Sequence, residues 1–244
     1  MHALSARHLL EVWESGFSQA PAEQALALLA AARPDVSRDA LAALSIGARD
    51  ASLLNLREGL WGPEMIAVVA CSSCRETLEL SLDTRELLSG HQREQTEELS
   101  ASLDGYKIAF RVPTSFDVIA ASRHYDPEQG RALILDRCLL SVEKGETSVT
   151  SGDLSPEVLA AVEERMTEAD PLADIQLDLT CPSCEGRWQA VFDIVSFLWT
   201  ELDVWARRML RDVHILARAY GWSEMDVLAL SPTRRQFYLD MAGA

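Results

Sequence analysis

Apolar positions in this chain keep two different periods, and each change of period marks a change of element. From Ser5 to Leu60 they recur at helical spacing. Leu9, Leu10, Val12 and Trp13 follow a capping Ser5 and stop at Gly16. Pro21 opens an Ala/Leu-rich helix through Ala32, which Arg33 and Pro34 end. Asp39 to Leu44 reads as a short third helix. Gly47 precedes a fourth, Ala48 to Leu60, with Leu53, Leu54, Leu56 and Leu60 as its stripe and Gly62-Pro63 as its stop.

The period then falls to two. Met65 to Ala70, Thr77 to Leu82, Ile175 to Thr180 and Trp188 to Asp193 read as half-buried strands. They form two hairpins, and each hairpin tip carries a Cys-x-x-Cys pair: Cys71 with Cys74, and Cys181 with Cys184. Between the hairpins, Ser89 to Ser102 is polar and predicts a mobile connection or a solvated helix. Tyr106 to Val112 predicts a strand. Pro113-Thr114-Ser115 starts a helix to about Arg123, and Pro127 starts another through Leu140. Val142 to Leu154, with Gly145 and Gly152, predicts a turn-rich loop, and Ser155-Pro156-Glu157 starts a helix to about Glu168.

The last third returns to helical spacing. Phe197 to Tyr220 predicts one long helix, with Leu198, Leu202, Ala206, Met209, Val213 and Leu216 on one side and Arg207, Arg208, Arg211 and Arg218 on the other. Gly221 ends it, Ser223 caps a short helix, and Ser231-Pro232 starts the last. The expected fold is α+β and mainly α-helical, with helical bundles around a small antiparallel sheet of two hairpins. Four segments follow: a helical one over 1–64, the split hairpins over 65–84 and 174–194, an inserted strand-helix part over 85–173, and a helical one over 195–244.

The cysteines carry the clearest chemistry. Two Cys-x-x-Cys knuckles on two hairpins predict one closed, tetrahedral, four-thiolate zinc site, structural because no position is left for water or substrate. Ser72, Ser73, Pro182 and Ser183 are small enough to let backbone amides turn toward the sulfurs. Three other readings stand beside it. A disulfide in each pair needs an oxidising compartment, and no secretory signal peptide is visible. A thioredoxin-like redox pair belongs at a helix start, without a second pair on a second hairpin. Knuckles that hold no metal are the third. The remaining cysteine, Cys138, lies in the apolar run Ala132 to Val142 and reads as a core thiol.

Composition narrows the function. The chain has 244 residues, 48% hydrophobic content and a net charge of −16. It can bury a core, and no apolar run reaches membrane-span length. So acidic a chain is a poor polyanion binder, since phosphate contacts need concentrated basic surface. Arg75 and Arg187 alone flank the knuckles, among acidic neighbours, so a zinc-ribbon regulator or adaptor binding nucleic acid or another protein is the secondary reading. His2, His8, His91, His124 and His214 show no ligand spacing, and no phosphate loop or nucleophile-base set appears, so no enzyme activity is expected. Arg49-Asp50 and Arg57-Glu58 read as surface or interhelical ion pairs. Trp199, Trp205, Tyr220, Trp222, Phe237 and Tyr238 crowd the C-terminal region, which predicts a partner surface there with Arg234, Arg235 and Tyr238 as its exposed contacts.

The C-terminal run from His214 through Gly221-Trp222-Ser223-Glu224-Met225 and Ser231-Pro232-Thr233-Arg234-Arg235 to Leu239 resembles the closing motif of the T4-type baseplate hub assembly chaperone family. That family belongs to contractile-tailed phages and contractile injection systems. Leu9 to Glu14, Gly47 to Asp50, Leu53 to Glu58, Phe110 to Ser115, Arg131 to Leu133 and Asp136 to Leu139 are similar too. The resemblance implies a non-enzymatic assembly factor, or a minor component, for a baseplate hub. Its implied partners are baseplate or tail proteins in the bacterial host cytoplasm; the charge argues against nucleic acid, and the apolar runs are too short for a membrane.

Overall fold

A computed structural model describes residues 4–89, 99–145 and 147–243. Along the chain run α1 (Ala6–Gly16), α2 (Pro21–Ala32), α3 (Arg38–Ala42), α4 (Ile46–Trp61), β1 (Glu64–Ala70), β2 (Thr77–Asp83), α5 (Thr84–Ser89), β3 (Leu99–Leu103) and β4 (Tyr106–Phe110). There follow α6 (Ser115–Ala121), α7 (Pro127–Cys138), β5 (Leu139–Lys144), β6 (Thr147–Ser148), α8 (Pro156–Ala169), β7 (Ile175–Thr180), β8 (Arg187–Phe192), α9 (Ile194–Tyr220), α10 (Glu224–Leu228) and α11 (Pro232–Met241). Two 3-10 turns, Ser151–Asp153 and Pro171–Ala173, flank α8. The fold is α+β and mainly helical.

Contacts divide the chain into two units: Val36–Ile194, and Met1–Asp35 with Val195–Ala244. The division cuts the N-terminal helices between α2 and α3.

In the central unit, β1 pairs with β2 and β7 with β8, each antiparallel and each a two-stranded sheet. The hairpins therefore form two sheets, where the sequence suggested one. A third sheet, in the order β3-β4-β5-β6, lies in the insert. Its core unites Ile108, Phe110 and Val142 with Leu135 and Cys138 of α7 and Val158, Val162 and Met166 of α8. Cys138 is fully buried, and burial raises its thiol to about 11, as suits a core thiol. The helix expected through Leu140 ends at Cys138, because β5 takes over to pair with β4. The polar run from Ser89 holds β3 at its end, which pairs with β4. His2 and His91, and the part of that run over 90–98, lie outside the described residues.

Polar clamps join these elements. Asp117 of α6 is wholly buried and accepts from Arg111, Arg137 and Thr114. Burial opposes its ionisation, but Arg111, Thr114 and Arg137 outweigh that and hold the carboxyl well below the usual carboxylate range. Gly47 N–H, in the first turn of α4, donates to Asp170 Oδ2 at 2.8 Å. Arg49 and Asp50 form a 2.7 Å pair with both residues buried, not the surface or interhelical pair expected. Arg57 is buried as well, while Glu58 accepts from Thr84 and Arg85.

Burial pushes the Asp50 carboxyl up to about 6, against the pull of Arg49 and with repulsion from Asp193 and Asp170. The folded chain thus keeps a proton that the unfolded chain releases near its ordinary value of about 4. The resulting stabilisation is full below about pH 4 and is lost as pH rises through about 6. Relative to Asp50→Asn, the wild-type melting temperature is expected to decline across that window and to run parallel above it. Thermal melts of both proteins over the range check this, and a rise of the difference with pH would contradict it.

The second unit is helical. Ser5 Oγ caps α1 by accepting from His8 N–H. Leu10 packs with Ala206 and Met209 of α9, and Trp13 Nε1 donates to Asp203 Oδ1 at 2.9 Å. At the far end, Leu216, Val227 and Leu239 tie α9, α10 and α11 together. Tyr220 stacks on Trp222 at 4.8 Å, and Tyr238 stands edge-on to Trp222 at the same distance.

Candidate functional site

Each hairpin closes on a six-residue tip, between Ala70 and Thr77 and between Thr180 and Arg187. The two tips share one backbone pattern. Cys71 N–H donates to Glu76 O and Arg75 N–H to Cys71 O; Cys181 N–H donates to Gly186 O and Glu185 N–H to Cys181 O. Arg75 and Glu185, directly after the second cysteine of each pair, sit at φ 62° and 57°, a left-handed turn that leads the chain back into the second strand of its hairpin. The first cysteine of each pair is buried and the second exposed.

The two tips meet reciprocally. Cys71 Sγ lies 3.7 Å from Cys184 Sγ, and Cys74 Sγ lies 3.6 Å from Cys181 Sγ. All four sulfurs fall within 4.8 Å of one another. A tetrahedral zinc with bonds of about 2.3 Å has sulfur-sulfur edges of about 3.8 Å, so the donor set fits that ion in number, chemistry and spacing. These separations are far above a disulfide bond of about 2.05 Å. Gly186 makes the approach possible: a Cβ there would stand 3.1 Å from Ser73 Oγ and 3.2 Å from Cys184 Sγ.

The neighbouring thiols affect the ionisation of Cys71 and Cys74. The backbone N–H of Cys74, with that of Ser73 and contacts with Cys74 and Cys184, brings Cys71 down to about 6. At Cys74 the backbone hydrogen bond from Glu76 favours the thiolate, but Cys184, burial, Cys181 and Cys71 outweigh it and push the thiol up to about 12. One thiolate forms readily and then opposes the next, a repulsion that a divalent ion removes.

Of the three C-terminal residues expected to be exposed, one is fully so. Arg234 is exposed. Arg235 pairs with Asp212 at 3.3 Å and is nearly covered, and Tyr238 is half-buried against Trp222 and Tyr220. The exposed apolar groups of α11 are instead Phe237 and Met241, 66% and 65% accessible. Sequence reading also passed over an apolar groove of about 580 Å³ in the central unit, lined by Val118, Ala121, Ile134, Leu135 and Met166. Its walls come from three helices that no single stretch of sequence shows together.

The sequence model of the family described as T4 bacteriophage base plate protein matches residues 6–199. The chain belongs to that family. The match spans both cysteine pairs and the whole central unit and ends inside α9, so the run from His214 to Leu239 lies outside it. No curated protein and no solved structure matches the chain. Among the described residues of this base plate family member, no helix is long and apolar enough to cross a membrane.

Proposed function

We propose that this base plate family member is a non-enzymatic assembly factor for the hub of a contractile tail or injection system. In this reading it acts in the bacterial host cytoplasm, where thiols stay reduced. The family match over residues 6–199 carries the reading. Cys71, Cys74, Cys181 and Cys184 hold a structural zinc that closes the central unit, supported by the sulfur spacing. Zinc bound by four thiolates has no open position, so its contribution is cross-linking and not reaction chemistry.

The C-terminal helices supply the partner surface, with Arg234, Arg235 and Tyr238 in it and Phe237 and Met241 as its exposed apolar groups. An assembly factor has to shield an aggregation-prone surface and then release it, which suits a small apolar patch rimmed by charge. Arg235 and Tyr238 also hold α11 in place, so a clean test uses Arg234 and Phe237. Arg234→Ala with Phe237→Ala is expected to reduce co-purification of a co-expressed baseplate or tail protein about tenfold or more. The melting temperature should change by no more than about 2 °C. Full capture by a normally folded double variant would move the surface elsewhere.

A further inference from the structure

We propose that the solvent face of α9 is a docking strip for an acidic helix of a partner baseplate protein. This rests on the assembly reading above and names the chemistry of the partner.

From Val204 to Tyr220, α9 carries Arg207, Arg208, Arg211 and Arg218 and a single acid, Asp212, in a chain of net charge −16. Asp212 is taken by Arg235, and Arg207 by Asp203. Arg208, Arg211 and Arg218 are exposed, and among the described residues no ion pair engages any of the three. Leu202, Ala206, Met209 and Leu216 define the buried face of the helix. At 100° per residue, Val204, Arg211 and Arg218 point away from that face and Arg208 flanks them.

The spacing is that of a helix seam. Val204, Arg208, Arg211 and Arg218 stand at i, i+4, i+7 and i+14, so the three guanidinium groups follow one line over about 15 Å. Carboxylates at matching intervals on a second helix satisfy them, and guanidinium pairs with carboxylate bidentately. Val204, 64% accessible, lies on the same line. A helix laid along the strip covers it, whereas a phosphate backbone leaves it in water. Three free guanidinium groups on so acidic a chain are also too few for polyanion binding. Charge and apolar content therefore both favour an acidic amphipathic helix.

The test uses the full chain co-expressed with the baseplate and tail proteins of the same particle. Three forms are compared: wild type, the charge-reversed triple R208E, R211E and R218E, and the neutral triple R208Q, R211Q and R218Q. A photo-crosslinking amino acid at position 204 of the wild type maps what lies on the strip. The expected result is capture of a baseplate protein that falls about tenfold or more in the reversed triple and less in the neutral one. Melting temperatures should be unchanged, and the crosslink should fall in an Asp/Glu-rich helical segment. Full capture by the reversed triple overturns the strip while leaving the assembly reading intact. So does a crosslink to a segment without acids or to a second copy of this chain. A gel shift of duplex DNA that the reversed triple abolishes reassigns the strip to nucleic acid and overturns the proposal. Capture of no baseplate protein by the wild type removes the assembly reading and the strip together.

Discussion

Cys181→Ser is expected to leave the protein without zinc and to lower its melting temperature by on the order of 10 °C or more. The wild type, purified without added metal, should carry about one zinc per chain by elemental analysis. Cys181 is buried and its sulfur sits 3.6 Å from that of Cys74, so serine both removes a ligand and leaves three thiols facing one another. Binding free energy at such sites is folding free energy, of order 10 kcal/mol in small zinc domains. Here β1-β2 and β7-β8 are each two-stranded, and a hairpin alone is marginal, so a zinc clasp between their tips would join two weak elements. Chelator should lower the wild-type melting temperature and leave that of Cys181→Ser unchanged. A wild type that is metal-free, reduced and equally stable would refute the clasp.

Gly47→Ala is expected to be the most damaging single methyl addition in the central unit. A Cβ at this position would stand 2.1 Å from Asp170 Oδ1 and 3.1 Å from the backbone nitrogen of Ala173. Asp170 must then leave, and with it goes the 2.8 Å hydrogen bond that anchors the start of α4. The carboxylate is buried and cannot fall back on water. Overpacking of about 1–3 kcal/mol and a lost buried hydrogen bond of similar size give a loss of about 3–5 kcal/mol. Chemical denaturation of the two proteins measures it. Asp170→Asn, which still accepts from Gly47, should cost much less. A Gly47→Ala loss below that of Asp170→Asn would show that the clamp does not fix this junction.

Local rules were legible in the chain where one residue decides the outcome. Ser5, Ser223 and Ser231 each cap the helix expected of them, and Pro127 and Pro156 each open one. Of the four strands beside the cysteines, Thr77 to Leu82 and Ile175 to Thr180 follow from period-2 alternation and the other two from short apolar runs at the same turns, and the two Cys-x-x-Cys pairs anticipated the cluster of four sulfurs. What sequence missed depended on partners far along the chain. Leu139 to Lys144 continues the apolar run of α7 and looks helical locally, yet β4 offers it a ladder. Leu99 to Leu103 alternates only briefly after a polar stretch and becomes β3 for the same reason. Arg49-Asp50 reads as surface charge until other elements cover it, and Gly47 reads as a helix boundary until Asp170 arrives from 123 positions away. On α11, Arg235 and Tyr238 follow an exposed-looking helix start, but Asp212 and Trp222 claim them.

The hub assembly role is tested most directly by electron microscopy of tails from cells that produce the particle but lack this chain. The expected result is no complete baseplates and no contractile particles, with assembly restored by wild-type chain supplied in trans. Intact, contractile particles formed without the chain would contradict the proposed function.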